Sequence, residues 1–292
     1  MLDRNLSRRR LIGFGTAAAA FVAGCGTENG NTTAAQPNRT TAANAVDVQA
    51  IPATPRQQQV PAANSPIAVA ARHAGAQPQQ WGTKMDGITS TFAANGKQMA
   101  VTFDACGGPG NNDIDEVLLN LLISQQIPAT LFLNKRWIDA NPTRAAQLAA
   151  NPLFELANHG VAHKPLSVTG RAAYGIAGTG SPREAVDEVW ANHQRLTTLL
   201  GKPPRFFRSG TAHYDDVAVG IVNELGERPV GYSINADYGA TASAEQVQHA
   251  MKAAAPGAIS LAHMHRPNSG TATGMTAALP ALRAAGFTFV HL

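Results

Sequence analysis

The sequence predicts an α/β fold, a distorted (β/α) barrel of about seven parallel strands. Three observations carry this: short apolar runs alternate with helical segments, helix-start signals fall between the runs, and reactive side chains recur at the runs' carboxyl ends. The expected strands are residues 99–104, 129–134, 154–158, 206–209, 230–234, 258–263 and 287–291. Asp115 is placed to cap a helix over 116–124, and Asn141-Pro142 opens another over 143–150. Ser181-Pro182-Arg183-Glu184 reads as a capping box with proline at the first helical position. The helix that follows carries Val186, Val189, Trp190, His193, Leu196 and Leu200 on one face. Ser243 caps a further helix over 244–254. Parallel units of this kind close into a barrel; an open, doubly wound sheet is the competing arrangement.

The chain of 292 residues, 44% apolar and 14% charged, has room for one large core. Its formal charge of +4 sits mostly at the front: residues 1–24 hold four Arg and one Asp, which leaves +1 for the rest. That balance gives no case for nucleic acid as a partner. Ser7-Arg8-Arg9-Arg10-Leu11-Ile12 resembles a twin-arginine export signal. The apolar stretch after it, 11–24, is shorter than the about 20 residues a permanent span needs. It ends in Val22-Ala23-Gly24-Cys25, which resembles a lipobox, where the cysteine is lipidated and becomes the mature N-terminus. An ordinary cleaved signal with an incidental cysteine is the other reading. Export and a membrane anchor at Cys25 are therefore expected, and with Cys25 lipidated, Cys106 has no partner for an intrachain disulfide. Residues 25–80, rich in Ala, Gln, Pro, Asn and Thr, read as a disordered tether with a reach of roughly 40 Å. The folded domain is expected over 81–292.

The chemistry clusters by position. Asp104 ends the first expected strand, His159 follows the third, Arg208 ends the fourth, Asp237 follows the fifth and His263 ends the sixth. Sites in parallel α/β folds form at carboxyl ends of strands, so these groups are expected around one cavity. His159 and His163 are four residues apart; on one turn of helix both rings would face one metal ion. The bland alternatives are a capping Asp104, a surface Arg208 and loop histidines. Yet a carboxylate ending an apolar strand is costly without a partner, and Phe206-Phe207 carries Arg208 toward the core. His213 and His249 read as surface histidines, although His213 lies on the loop nearest the site.

These residues resemble a known family. Thr102-Phe103-Asp104, Asn158-His159 through His163, Phe207-Arg208-Ser209-Gly210 and Ser260-Leu261-Ala262-His263 resemble, in order, motifs of NodB-type polysaccharide deacetylases, carbohydrate esterase family four. Asp104-Ala105-Cys106-Gly107-Gly108 and His263-Met264-His265-Arg266-Pro267 are similar to a divergent subgroup of it. The resemblance implies a divalent metal, Zn²⁺ with Co²⁺ or Ni²⁺ as alternatives, held by His159 and His163. It implies Asp104 as general base, Arg208 as its partner and His263 as general acid, with Asp237 orienting His263 or tuning Arg208. Backbone N–H groups around 211–214 would stabilise the oxyanion. The implied reaction is N-deacetylation of an N-acetylglucosamine polysaccharide of the cell envelope, with O-deacetylation of a xylan-like polymer the weaker option.

One departure matters. The family's first motif has a second aspartate that completes the metal site; here Ala105 stands there. Asp113 or Asp115, then His213, are the expected substitutes, while Cys106 would be a soft ligand for zinc, set against its place after Ala105, which can turn it into the barrel wall. Otherwise the metal is bound weakly and completed by substrate. The remaining possibility is an inactive site, which would leave a glycan-binding lipoprotein.

Overall fold

A computed structural model describes residues 63–292. In chain order its elements are α1 (Pro66–Arg72), β1 (Trp81–Gly82), β2 (Gln98–Ala105), α2 (Glu116–Ser124), β3 (Ala129–Leu133), α3 (Lys135–Ala140), α4 (Pro142–Ala150), β4 (Phe154–Asn158) and α5 (Pro182–Leu200). There follow β5 (Phe206–Phe207), β6 (Tyr214–Asp215), α6 (Asp216–Glu224), β7 (Arg228–Pro229), β8 (Ile234–Asn235), α7 (Ala244–Met251), β9 (Ile259–His263), α8 (Thr271–Ala284) and β10 (Thr288–Val290). The main sheet runs β7-β5-β4-β3-β2-β9-β8, all parallel, and β10 adds to β2. β2, at its centre, is buried from Met99 to Ala105, as a strand covered on both faces must be.

The sheet curls into a half-barrel, with helices packed against it. The strand expected over 230–234 does not form as one element: β7 ends before it and pairs with β5, Val230 makes an isolated bridge to Thr89, and only Ile234 enters β8, which pairs with β9 at the opposite edge of the sheet. Four residues, 230–233, join those edges, which holds them within roughly 18 Å of one another. The apolar run is real, but no single neighbour offers it a continuous ladder. The other six expected strands are present with ends shifted by up to a few residues.

Helix signals were largely local and legible. Asp115 accepts from the Leu118 N–H, Ser181 from Glu184 and Ser243 from Gln246. The reciprocal capping box forms at Ser243, where the Gln246 side chain accepts from the cap N–H. At Ser181 it does not: the Glu184 carboxylate accepts from Gly180 instead (3.1 Å). The expected tether boundary is corrected as well. Within the stretch read as disordered, Ser65 caps α1, which packs on α5 and α6. Arg72 and His73 both pair with Glu224 of α6 (Arg72 Nε–Oε2 2.9 Å). A seven-residue helix is too short to announce itself by periodicity, and tertiary contacts supply its stability. The export signal, Cys25 and the tether up to residue 62 lie outside the described residues.

Candidate active site

Strand register assembles the first part of the site. Asp104 of β2 stands directly beside His263 of β9. His159 follows β4 and Arg208 follows β5, which pair at Asn158 and Phe207. These ends open on a cleft of about 620 Å³, lined by Asp104, Cys106, His163, His263 and His265 among others.

Arg208 is fully buried and anchors Asp104, itself 3% exposed. Its Nη1 donates to Asp104 Oδ1 (2.7 Å) and Thr102 Oγ1 (2.8 Å), and its Nη2 to the Gly231 carbonyl (2.9 Å). The guanidinium lies over the Phe132 ring at 4.0 Å. A buried charge pair of this kind persists because each ion is the other's partner. The second carboxylate oxygen, Oδ2, is 3.6 Å from His159 Nε2.

On the other wall, Asp237 holds His263. The His263 Nδ1–H donates to Asp237 Oδ1 (2.8 Å), while the His263 N–H (2.7 Å) and the Thr271 hydroxyl (2.8 Å) donate to Oδ2. Burial disfavours a charged ring, but the Asp237 carboxylate outweighs it and keeps His263 well above the ordinary histidine range. Burial alone would raise Asp237, yet the attraction of His263 brings it below its usual value. Asp237 thus contacts His263 at both its ring and its backbone N–H.

His159 and His163 are not on a helix: the chain from 159 to 164 is a loop, and His163 has φ +60°, sparsely populated for a side chain that is not glycine. The rings still meet, edge to face at 5.0 Å between centroids. His159 Nδ1–H donates to the Arg208 carbonyl (2.9 Å), which fixes the tautomer and leaves the Nε2 lone pair free. Burial pushes His159 down to about 3; burial and then the neighbouring His159 push His163 down to about 2. Both rings are therefore neutral lone-pair donors at neutral pH, as metal ligands must be.

The expected third ligands are elsewhere. Asp115 is spent on the cap of α2 (Oδ1 to Leu118 N 3.0 Å). Asp113 lines a separate, smaller cavity with Arg266. His213 donates to the Thr211 carbonyl (2.8 Å) and packs against Trp81 and Tyr174. Cys106, which its place after Ala105 could have turned into the barrel wall, lines the cleft instead. The reason is the two-residue period of a strand: Asp104 and Cys106 share one face, and Ala105 between them packs into the core. Cys106 Sγ is 3.9 Å from His159 Nε2, and the ligand atoms of Cys106, His159 and His163 all lie within 4.8 Å of one another.

Comparison with known proteins adds a family. Residues 93–230 match the family model for polysaccharide deacetylase. That stretch is similar to a polysaccharide deacetylase domain. The match takes in Asp104, His159, His163 and Arg208; Asp237 and His263 lie beyond it. No curated protein matches the chain. Among solved structures, a wild-type family 4 carbohydrate esterase pseudoenzyme from Bacillus anthracis shares the fold (19% identity, 70% of this chain and 66% of that chain, TM-score 0.58). The Bc1960 peptidoglycan N-acetylglucosamine deacetylase, in complex with an N-oxidanyl-benzamide, does so at 20% identity, 70% and 89% coverage and TM-score 0.58. A family 4 acetyl xylan esterase from Clostridium thermocellum, in complex with a cobalt ion, does so at 22%, 67% and 88% and TM-score 0.54.

Two residues at the site are not picked out by the sequence alone. Cys106 follows an alanine that packs into the core, which hides that its own side chain faces the cleft. Glu188 of α5 was passed over, although it is buried among the apolar side chains of its helix. Its carboxylate accepts from the backbone N–H groups of Val161 (3.1 Å), Ala162 (2.9 and 3.0 Å) and Lys164 (3.2 Å), gripping the loop between the two histidines. Two glycines make room: a Cβ at Gly160 would fall 2.5 Å from Glu188 Oε1, and one at Gly210 would fall 2.2 Å from the His163 carbonyl carbon. A charged residue at i+3 from Ala185 and i−4 from Asn192, on the buried face of a long helix, was the available signal.

Proposed function

We propose that this protein removes acetyl groups from an N-acetylglucosamine-containing polysaccharide of the cell envelope. The observation that carries this reading is the convergence of Asp104, held by Arg208, and His263, held by Asp237, on one cleft with a neutral histidine pair. His159 and His163 would hold a divalent ion, zinc in the first instance, which would supply Lewis acidity toward the acetyl carbonyl and a water.

The chain's own groups do the proton work. Asp104, its Oδ1 tied to Arg208, presents Oδ2 on the side of the histidines and takes the proton of the attacking water. The developing oxyanion is met by backbone N–H groups near 211–214. In that stretch the Ala212 N–H is engaged by the Ser209 carbonyl (2.9 Å), so Thr211, which lines the cleft, is the donor of choice. The Thr211 hydroxyl is buried without a partner, ready for a polar group of the sugar. As the C–N bond breaks, His263 protonates the departing amine, and Asp237 stabilises the ring in its charged form beforehand. Tyr174 and Tyr238, both exposed at the cleft, offer flat faces to a sugar ring.

The twin-arginine-like signal and Cys25 support an exported enzyme anchored in the membrane and reaching wall polymer through the segment before the domain. A second reading, a glycan-binding module on the same fold, is favoured by one observation: Ala105 replaces the family's metal-binding aspartate. Acetate release from N-acetylated chitin oligomers and from peptidoglycan decides between them. The enzyme reading expects release with added Zn²⁺ or Co²⁺ and its loss in Asp104→Asn. Binding of these glycans without release from either would establish the module, and release from acetylated xylan alone would reassign the substrate.

A further inference from the structure

We propose that Cys106 is a metal ligand, completing a His₂Cys site with His159 and His163 in place of the carboxylate lost at Ala105. The inference rests on the reading that this cleft holds a divalent ion, and it goes further by naming the donor set and the class of ion.

Geometry comes first. In a tetrahedral zinc site with Zn–S near 2.3 Å and Zn–N near 2.0–2.1 Å, sulfur and nitrogen stand ~3.5 Å apart. Cys106 Sγ is 3.9 Å from His159 Nε2, and the three ligand atoms of the cluster fall within 4.8 Å. Each therefore needs to move inward by less than ~1 Å to reach coordination distance.

Direction comes second. His159 points Nε2 at the cluster because its Nδ1–H is tied to the Arg208 carbonyl. Glu188 clamps the loop that carries His163, and Cys106, the residue directly after β2, lies on the face that presents Asp104. Three donors, one from the end of β2 and two from the loop after β4, converge, while the fourth side is left to the cleft, where Asp104 Oδ2 stands 3.6 Å from His159 Nε2. Three protein ligands with an open position is the arrangement of a catalytic site rather than a structural one. Substituting a thiolate for a carboxylate also shifts selectivity: sulfur with two imidazoles suits Zn²⁺ and Co²⁺ and disfavours Mg²⁺, Ca²⁺ and Mn²⁺.

The test uses cobalt as a spectroscopic probe. The full chain carrying Cys25→Ala, so that Cys106 is its one thiol, is stripped of metal and titrated with Co²⁺. The proposal expects a thiolate-to-cobalt charge-transfer band in the near ultraviolet, saturating with the metal. Cys106→Ser removes the band and weakens Co²⁺ binding by at least ~10-fold. Cys106→Asp restores affinity without the band. Because the serine variant can fail for reasons of folding, protection is read on the unsubstituted thiol: bound Zn²⁺ should slow alkylation of Cys106 by iodoacetamide. Cobalt bound without the band, or alkylation at the same rate with and without zinc, overturns the proposal. Acetate release assayed on the same samples separates the two claims. Release without the band sinks the thiolate ligand and spares the deacetylase, whereas the band without release does the reverse.

Discussion

Replacing Arg208 by methionine removes the one cation that faces the Asp104 carboxylate at hydrogen-bonding distance. Arg208 is wholly buried, donates to Asp104, Thr102 and the Gly231 carbonyl, and stacks on Phe132. Methionine keeps much of the volume and none of the donors. It strands a carboxylate that is only 3% exposed, and a broken buried ion pair costs about 3–5 kcal/mol. In urea this corresponds to a midpoint lowered by about 1–2 M for a domain of this size. Activity should fall by about 10²–10⁴, because the base loses the donor that orients it. The double variant Asp104→Asn/Arg208→Met separates pairing from packing. With both charges gone it should be more stable than the sum of the singles by about 1–3 kcal/mol. Additivity within about 0.5 kcal/mol, or an Arg208→Met protein as stable as the wild type, would refute the ion pair as the support of the site.

Three further outcomes are expected. Glu188→Ala leaves three loop N–H groups without their acceptor and should weaken Co²⁺ binding by ~10–100-fold, as loss of outer-shell support does, with Glu188→Gln losing less; equal affinity in all three proteins would count against the clamp. Asp237→Asn removes the charge that raises His263, so the acidic-form limb of the pH–rate profile should move to lower pH, and an unmoved limb would deny His263 its role as acid. Glu227 is buried between Asn158 and His193, and burial pushes its carboxyl above the ordinary range. The folded chain then holds a proton that the unfolded chain has lost, so this group's contribution to stability falls as pH rises from about 4.3 through the folded-state value. Melting temperature against pH should accordingly be flatter for Glu227→Gln than for wild type over that window; parallel curves would contradict the shift.

How much of this was readable beforehand follows from what each signal depends on. β2, β3, β4 and β9 were legible because both faces of a central parallel strand are covered, which writes a largely apolar run. With them came Asp104 and His263, the polar residues that close such runs. Arg208 was legible through Phe206-Phe207, and the buried guanidinium follows. The stretch 230–234 was misleading by pattern, since its composition says strand, whereas in the curled sheet it spans the gap between the edges formed by β7 and β8. Helical spacing between His159 and His163 was the wrong picture; a clamped loop with one left-handed residue brings the rings together instead. Cys106 was obscured by chain order, although strand alternation already set it beside Asp104. Glu188, Asn192 and His193 sit on the buried face of α5, and their partners come from distant strands and loops, so nothing in the helix alone says what they hold.

Metal stoichiometry followed alongside acetate release, on one preparation titrated with zinc, addresses the core of the account. Both quantities should rise together and level off at about one ion per chain, the number a single three-ligand site accepts, and Asp104→Asn should fill to the same level while releasing no acetate. Acetate released at full rate by the metal-free chain, or by Asp104→Asn, would show that the chemistry lies outside this cluster.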